Sequence, residues 1–127
     1  MSETTVAAEA EHYLRVVVGV EPQEGECLVC FVARMVGEHG CDTTYLWALR
    51  FRDLRSPTAT GLEQRYRMRR ATCDCQIARE AHVLARELMV RDVHTDELEP
   101  PRTPPTCAGV RRTSTRPCAN WATPRRP

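Results

Sequence analysis

Seven cysteines occur among 127 residues, and five of them fall at Cys27-x-x-Cys30, Cys41 and Cys73-x-Cys75. A CxxC at a helix start lets two thiolates point toward one ion, and a CxC does the same across a turn; together they can complete tetrahedral thiolate coordination. These spacings predict a metal, best matched by structural zinc, held by sulfurs drawn from Cys27, Cys30, Cys41, Cys73 and Cys75. An odd cysteine count argues against a closed disulfide framework. A helix N-terminus also lowers the pKa of a nearby thiol, so Cys30 and Cys75, each read in a first turn, are biased toward the thiolate that a metal requires. Inert buried cysteines, a redox pair or an iron–sulfur cluster are the other chemistries open to the same residues.

Helices must position those sulfurs. From Cys27 onward, Leu28, Phe31, Val32, Met35 and Val36 fall at i, i+3, i+4, i+7 and i+8, which is one apolar stripe; Gly37 and Gly40 end it. Asp42 is a suitable N-cap for a second helix with Leu46, Trp47, Leu49, Phe51 and Leu54, which stops at Ser56-Pro57. Thr60-x-x-Glu63 has the form of a capping box and opens a third helix with Leu62, Tyr66 and Met68. A fourth is read from Asp74 or Cys75, where Ile77, Ala81, Leu84, Ala85 and Leu88 make the apolar side. Short loops make such helices antiparallel. That brings Cys73 and Cys75 beside Cys41, with the fourth ligand from His39 or Cys30 and Cys27 about 15 Å off, one helix length. Steep helix crossing restores the simpler set Cys27, Cys30, Cys73 and Cys75.

The flanks differ in composition. Residues 1–26 carry six Glu against Arg15 and pass through Leu14-Arg15-Val16-Val17-Val18, a helix end or short strand. Residues 27–99 form the helical cysteine-rich domain. Residues 100–127 hold seven of the nine prolines and six Arg with no acid, too little aliphatic content for an independent core, so they read as a disordered or extended tail. Cys107, Cys118 and Trp121 are anomalous in such a tail and allow partial docking onto the domain.

Several functions are disfavoured. His82 lies seven positions beyond Cys75 on one helix, about 10 Å by rise, so the two cannot form a nucleophile–base pair. His12 and His94 sit in polar segments, and neither a phosphate-binding glycine loop nor a metallohydrolase motif is present. All eighteen basic residues are Arg. Arg50, Arg52, Arg55, Arg65, Arg67, Arg69 and Arg70, with Arg111, Arg112, Arg116, Arg125 and Arg126 of the tail, offer a basic face for phosphates; the alternative is a solvated face balanced by Asp53 and Glu63. No apolar run reaches the roughly 20 residues of a bilayer span. Residues 2–11 carry Glu3, Glu9 and Glu11 where a leader would be basic and apolar, so the protein is read as cytoplasmic.

Two segments carry a resemblance. Gly40-Cys41-Asp42-Thr43-Thr44 and Cys73-Asp74-Cys75-Gln76 resemble the Gly-Cys-Asp-His-Thr and Cys-Asp-Cys-Glu signatures of the bacterial domain of unknown function (DUF) 2695 family. Cys27-Leu-Val-Cys30, the stretch from Phe51 to Thr60 and the tail from Cys107 to Trp121 are similar to an actinobacterial branch. The resemblance implies a small, mainly helical, cysteine-bearing domain and no activity. Thr43 stands where many members place His, Arg70-Ala71 replaces Gly-Gly, Gln76 replaces Glu, and Ala78 to Arg91 departs from the family.

The expectation is therefore an all-α fold: a small three- to four-helix domain stapled by a Cys-ligated metal, with a disordered or extended tail. Its expected function is a zinc-binding, non-enzymatic interaction or regulatory module with a protein or nucleic-acid partner met through the Arg-rich helix and tail, and no membrane. A redox-responsive dithiol protein is the alternative.

Overall fold

The apolar stripe that begins at Leu28 lies on a helix, α1 (Leu28–His39), which buries Leu28, Val29, Phe31, Val32 and Met35. The computed structural model describes residues 20–124. Readings that fall on residues 1–19, including His12 and the Leu14–Val18 stretch, and on Arg125 and Arg126 lie outside it. Helix α1 runs through Gly37 and ends at Gly40, whose φ of 80° suits glycine and whose N–H returns to Val36 O. Helix α2 (Leu46–Arg55) packs on α1 through Trp47, Ala48 and Phe51. The Phe31 ring meets Trp47 edge-on at 6.5 Å and Phe51 at 5.9 Å. Helix α3 (Leu62–Met68) adds Leu62 and Tyr66 to the same core.

Capping departs from the sequence reading. The Asp42 carboxylate does not cap α2; it makes a local turn to Thr44 N at 3.0 Å. Thr60 does not cap α3 either, which starts after Gly61 with no side-chain cap; Glu63 instead pairs with Arg67 and Arg52. The α2 cap comes from across the fold. Asp74, fully buried, accepts Trp47 N at 2.9 Å and Ala48 N at 3.1 Å, two of the orphan donors of the α2 first turn.

The all-α expectation needs correction after residue 76. Helix α4 (Asp74–Gln76) runs into a π turn over Ile77–Ala81, closed by His82 N to Ile77 O at 3.2 Å, and the helix stops there. The chain then becomes extended: β1 (Val83–Leu84) pairs antiparallel with β4 (Trp121–Ala122), and a 3₁₀ turn (Arg86–Leu88) leads to the β2 (Val90–Arg91) and β3 (Leu98–Glu99) hairpin. The periodicity of Leu84, Ala85 and Leu88 loses to a tertiary partner, because the C-terminal segment supplies β4 and the Asn120 carbonyl that accepts Ala85 N at 2.8 Å. That segment is extended but docked, with Cys118 in the α1 core and Cys107, Val110 and Trp121 against it. Among the described residues no helix is long and apolar enough to cross a membrane.

His82 is buried at the end of the π turn. Its Nε2 meets the Tyr66 hydroxyl at 3.0 Å and Arg69 Nη1 at 3.4 Å, while Nδ1 has no hydrogen-bond partner among the described residues. Burial first, then the guanidinium groups of Arg69 and Arg65, hold its pKa down at about 4. The folded protein therefore keeps His82 neutral where the unfolded chain protonates. Stability from this site is complete above pH 6.5 and is lost as pH falls toward 4, by up to about 1.4 kcal/mol per pH unit.

Two outcomes are expected from urea unfolding. Asp74→Ala strands two buried N–H groups and lowers stability by about 2 kcal/mol at neutral pH. His82→Gln loses less stability than wild type between pH 7 and pH 5, by about 1 to 2 kcal/mol. Equal pH slopes in the two proteins would contradict a neutral buried imidazole.

Candidate metal centre

The cysteines gather into two groups. Cys27, Cys30, Cys107 and Cys118 bring their sulfurs within 4.8 Å of one another, and so do Cys41, Cys73 and Cys75. All seven are free thiols. Of the five ligands expected from sequence, Cys41, Cys73 and Cys75 stay together, while Cys27 and Cys30 join the two tail cysteines that sequence reasoning left without a role. Neither proposed fourth ligand joins Cys41: Cys30 belongs to the other group, and His39 lies over the Trp47 ring at 5.3 Å and beside Glu38.

The four-sulfur group starts at the N-terminus of α1. Cys27 is the N-cap residue, and its sulfur accepts Cys30 N at 3.3 Å, as a capping serine oxygen would. Cys107, eighty residues away, accepts Cys27 N at 3.2 Å and Gly109 N at 3.4 Å. Gly109 takes φ of 90°, which lets the chain fold back over the Cys107 sulfur. Cys30 accepts the Trp121 indole N–H at 3.2 Å and stands 3.7 Å from Cys118. The amides of Asn120 and Ala108 lie on the Cys118 sulfur. Each sulfur thus receives N–H donors, which favour negative charge there.

Electrostatics within the group are uneven. Hydrogen bonding from the Cys30 thiol, opposed by burial and reinforced by the amides of Cys30 and Cys118, lowers the Cys27 pKa to about 5. Cys30 is driven the other way, first by its bond to Cys27 and then by burial, with the Trp121 indole resisting. Burial also raises Cys118. Without a cation the group thus holds one thiolate readily and resists more. The spacing could hold a metal ion, and a divalent cation there would favour ionisation of the remaining sulfurs.

The three-sulfur group is set by the contact between the α1–α2 loop and the turn before α4. Asp74 N donates to Thr44 O at 3.0 Å and the Tyr45 hydroxyl donates to Ala71 O, drawing Cys41 against the CxC pair. Two residues adopt left-handed backbone to allow it, Thr43 at φ of 69° and Arg70 at 61°. The second stands where the family pattern has glycine. Burial raises the Cys41 pKa, but the amides of Cys75 and Thr43 and the neighbouring thiols outweigh it, so the net shift is downward. Cys73 and Cys75 shift upward, burial being the main cause for both.

The arginines are mostly engaged. Arg55 is buried and donates to the carbonyls of Pro22 and Gln23. Arg50 reaches Val20 O, Arg69 reaches Ala81 O, Arg65 reaches Thr115 Oγ1, and Arg52 and Arg67 pair with Glu63. These six arginines thus tie segments together, while Arg70, Arg111, Arg112 and Arg116 are exposed.

Residues 28–79 match the family model described as a protein of unknown function (DUF2695). The match contains the whole three-sulfur group and Cys30, and it leaves out Cys27, Cys107 and Cys118. No curated protein and no solved structure matches the chain.

Trp121, like Cys107 and Cys118, carried a signal in the sequence as an aromatic in a proline-rich segment. Its indole N–H is the side-chain donor to the Cys30 sulfur. Trp121→Phe keeps the ring and removes that bond, and is expected to weaken metal affinity about tenfold, measured by competition with a chromophoric chelator. An unchanged affinity would mean that the indole only packs.

Proposed function

We propose that this protein is a small zinc-binding module without enzymatic activity, in which Cys27, Cys30, Cys107 and Cys118 hold a structural ion that clasps the C-terminal segment to the helical domain. The observation that carries the reading is the sulfur spacing. Four sulfurs about 2.3 Å from a tetrahedral ion stand roughly 3.8 Å apart. The Cys30–Cys118 separation is 3.7 Å, and all four sulfurs fall within 4.8 Å. Four protein thiolates close the coordination sphere, so such an ion serves structure and leaves no position for substrate. His82 makes its side-chain hydrogen bonds to Tyr66 and Arg69, and among the described residues none joins it to a cysteine.

The clasp shapes a surface. Between α1 and the docked segment lies a groove of about 780 Å³ whose walls include Ala33, Leu84, Met89, Pro104 and Trp121. It is the face such a module offers to a protein partner, and the engaged arginines make nucleic acid the weaker choice. A second reading, a redox-responsive dithiol, draws on the same 3.7 Å approach, since oxidation of Cys30 and Cys118 would join them.

Elemental analysis of protein purified without added metal separates the two. The zinc reading expects at least one equivalent per chain, lost together with about 10 °C or more of melting temperature on chelation and in Cys107→Ser. Metal-free protein with a reversible Cys30–Cys118 disulfide would establish the dithiol instead.

A further inference from the structure

Cys41, Cys73 and Cys75 differ from the other group in ligand number and in setting. Among the described residues no other histidine, cysteine or carboxylate brings an atom within 4.8 Å of all three sulfurs. Cys41 and Cys75 are half-buried and Cys73 is buried, against half-buried Cys30 and Cys107 and buried Cys27 and Cys118, so what marks this setting is the exposed Asp42–Thr44 turn beside the sulfurs. The site is nonetheless built. Two left-handed non-glycine residues, the buried Asp74 and the Tyr45–Ala71 bond hold three sulfurs at ligand spacing, and the amides of Thr43, Cys75 and Gln76 lie on those sulfurs.

We propose that these three thiolates bind a second, exchangeable thiophilic divalent ion whose fourth coordination position takes an imidazole from outside the chain. Three protein ligands with an open place is the arrangement that lets an ion meet an external ligand, in contrast with a closed four-thiolate site. Charge selects the class of that ligand. Three thiolates already exceed a divalent ion by one negative charge, with Arg79 the cation that acts on Cys75. In the four-sulfur group every sulfur comes with N–H donors placed by the fold; an external anion here would bring none, whereas a neutral imidazole adds no charge to offset. A histidine presented by a partner protein would then complete the site, coupling this ion to recognition. The inference concerns different residues from the structural clasp and stands or falls separately from it.

The full-length protein is loaded with zinc and challenged with a chromophoric chelator, and in parallel loaded with cobalt and titrated with imidazole or with 2-mercaptoethanol. Two zinc ions per chain are expected, one released at least tenfold faster than the other. Cys75→Ser, at a half-buried position, should lose the fast ion and keep the slow one and the wild-type circular dichroism; Cys41→Ser should behave alike. Imidazole should shift the visible d–d bands of wild-type cobalt protein and leave those of Cys75→Ser unmoved, with 2-mercaptoethanol the weaker ligand. A single ion per chain that survives Cys75→Ser, a fast ion that survives both variants, bands that ignore imidazole, or a preference for the thiol would each overturn the proposal. Loss of the slow ion alone would count against the structural clasp and leave the present inference intact.

Discussion

The constraint on which the rest of this fold depends is the meeting of sulfur atoms from chain segments about eighty residues apart. The apolar core made by α1, α2 and α3 is small, and a small core leaves little margin over chain entropy. Bringing Cys107 against Cys27 closes a long loop, which the chain resists by conformational entropy. N–H donors soften the meeting, since the backbone Cys27 N and Gly109 N and the Trp121 indole all end on sulfur. The Cys27 and Cys30 pKa values are driven apart first by the hydrogen bond between their side chains, with burial adding to the rise at Cys30. On the proposed zinc reading, a cation at the centre would let the four sulfurs carry charge together.

Asp74 is the hinge between the helices and the second sulfur group. Flanked by Cys73 and Cys75, its carboxylate caps α2 from across the fold while its own N–H reaches Thr44 O. One residue therefore ties the start of α2, the Cys41 loop and the CxC turn together. This is a physical reason for an acid between two thiols: the pair is oriented through the N-terminus of a neighbouring helix. The strain at Thr43 and Arg70 is tolerated because these contacts over-determine the turn around them.

The helical half was legible because its signals are local. Leu28, Phe31, Val32 and Met35 recur at helical spacing, and Ser56-Pro57 ends α2 as a proline does. The convergence of Cys41 with Cys73 and Cys75 could be argued from short loops alone. Residues 77–88 were not legible, since Leu84 and Ala85 follow a helical period that a strand partner and the Asn120 carbonyl override. Asp42 and Thr60 have capping chemistry, yet their helices start elsewhere because Asp74 serves α2 and Gly61 precedes α3. The division of seven cysteines into two groups depends on the docked tail, and no spacing within residues 27–75 encodes it.

The central claim concerns one point in space, and anomalous diffraction at the zinc edge from crystals of the full-length protein addresses it most directly. The account predicts a peak about 2.3 Å from each of the sulfurs of Cys27, Cys30, Cys107 and Cys118, in tetrahedral arrangement. A structure with no peak there, or with Cys30 and Cys118 joined by a covalent bond, would contradict it.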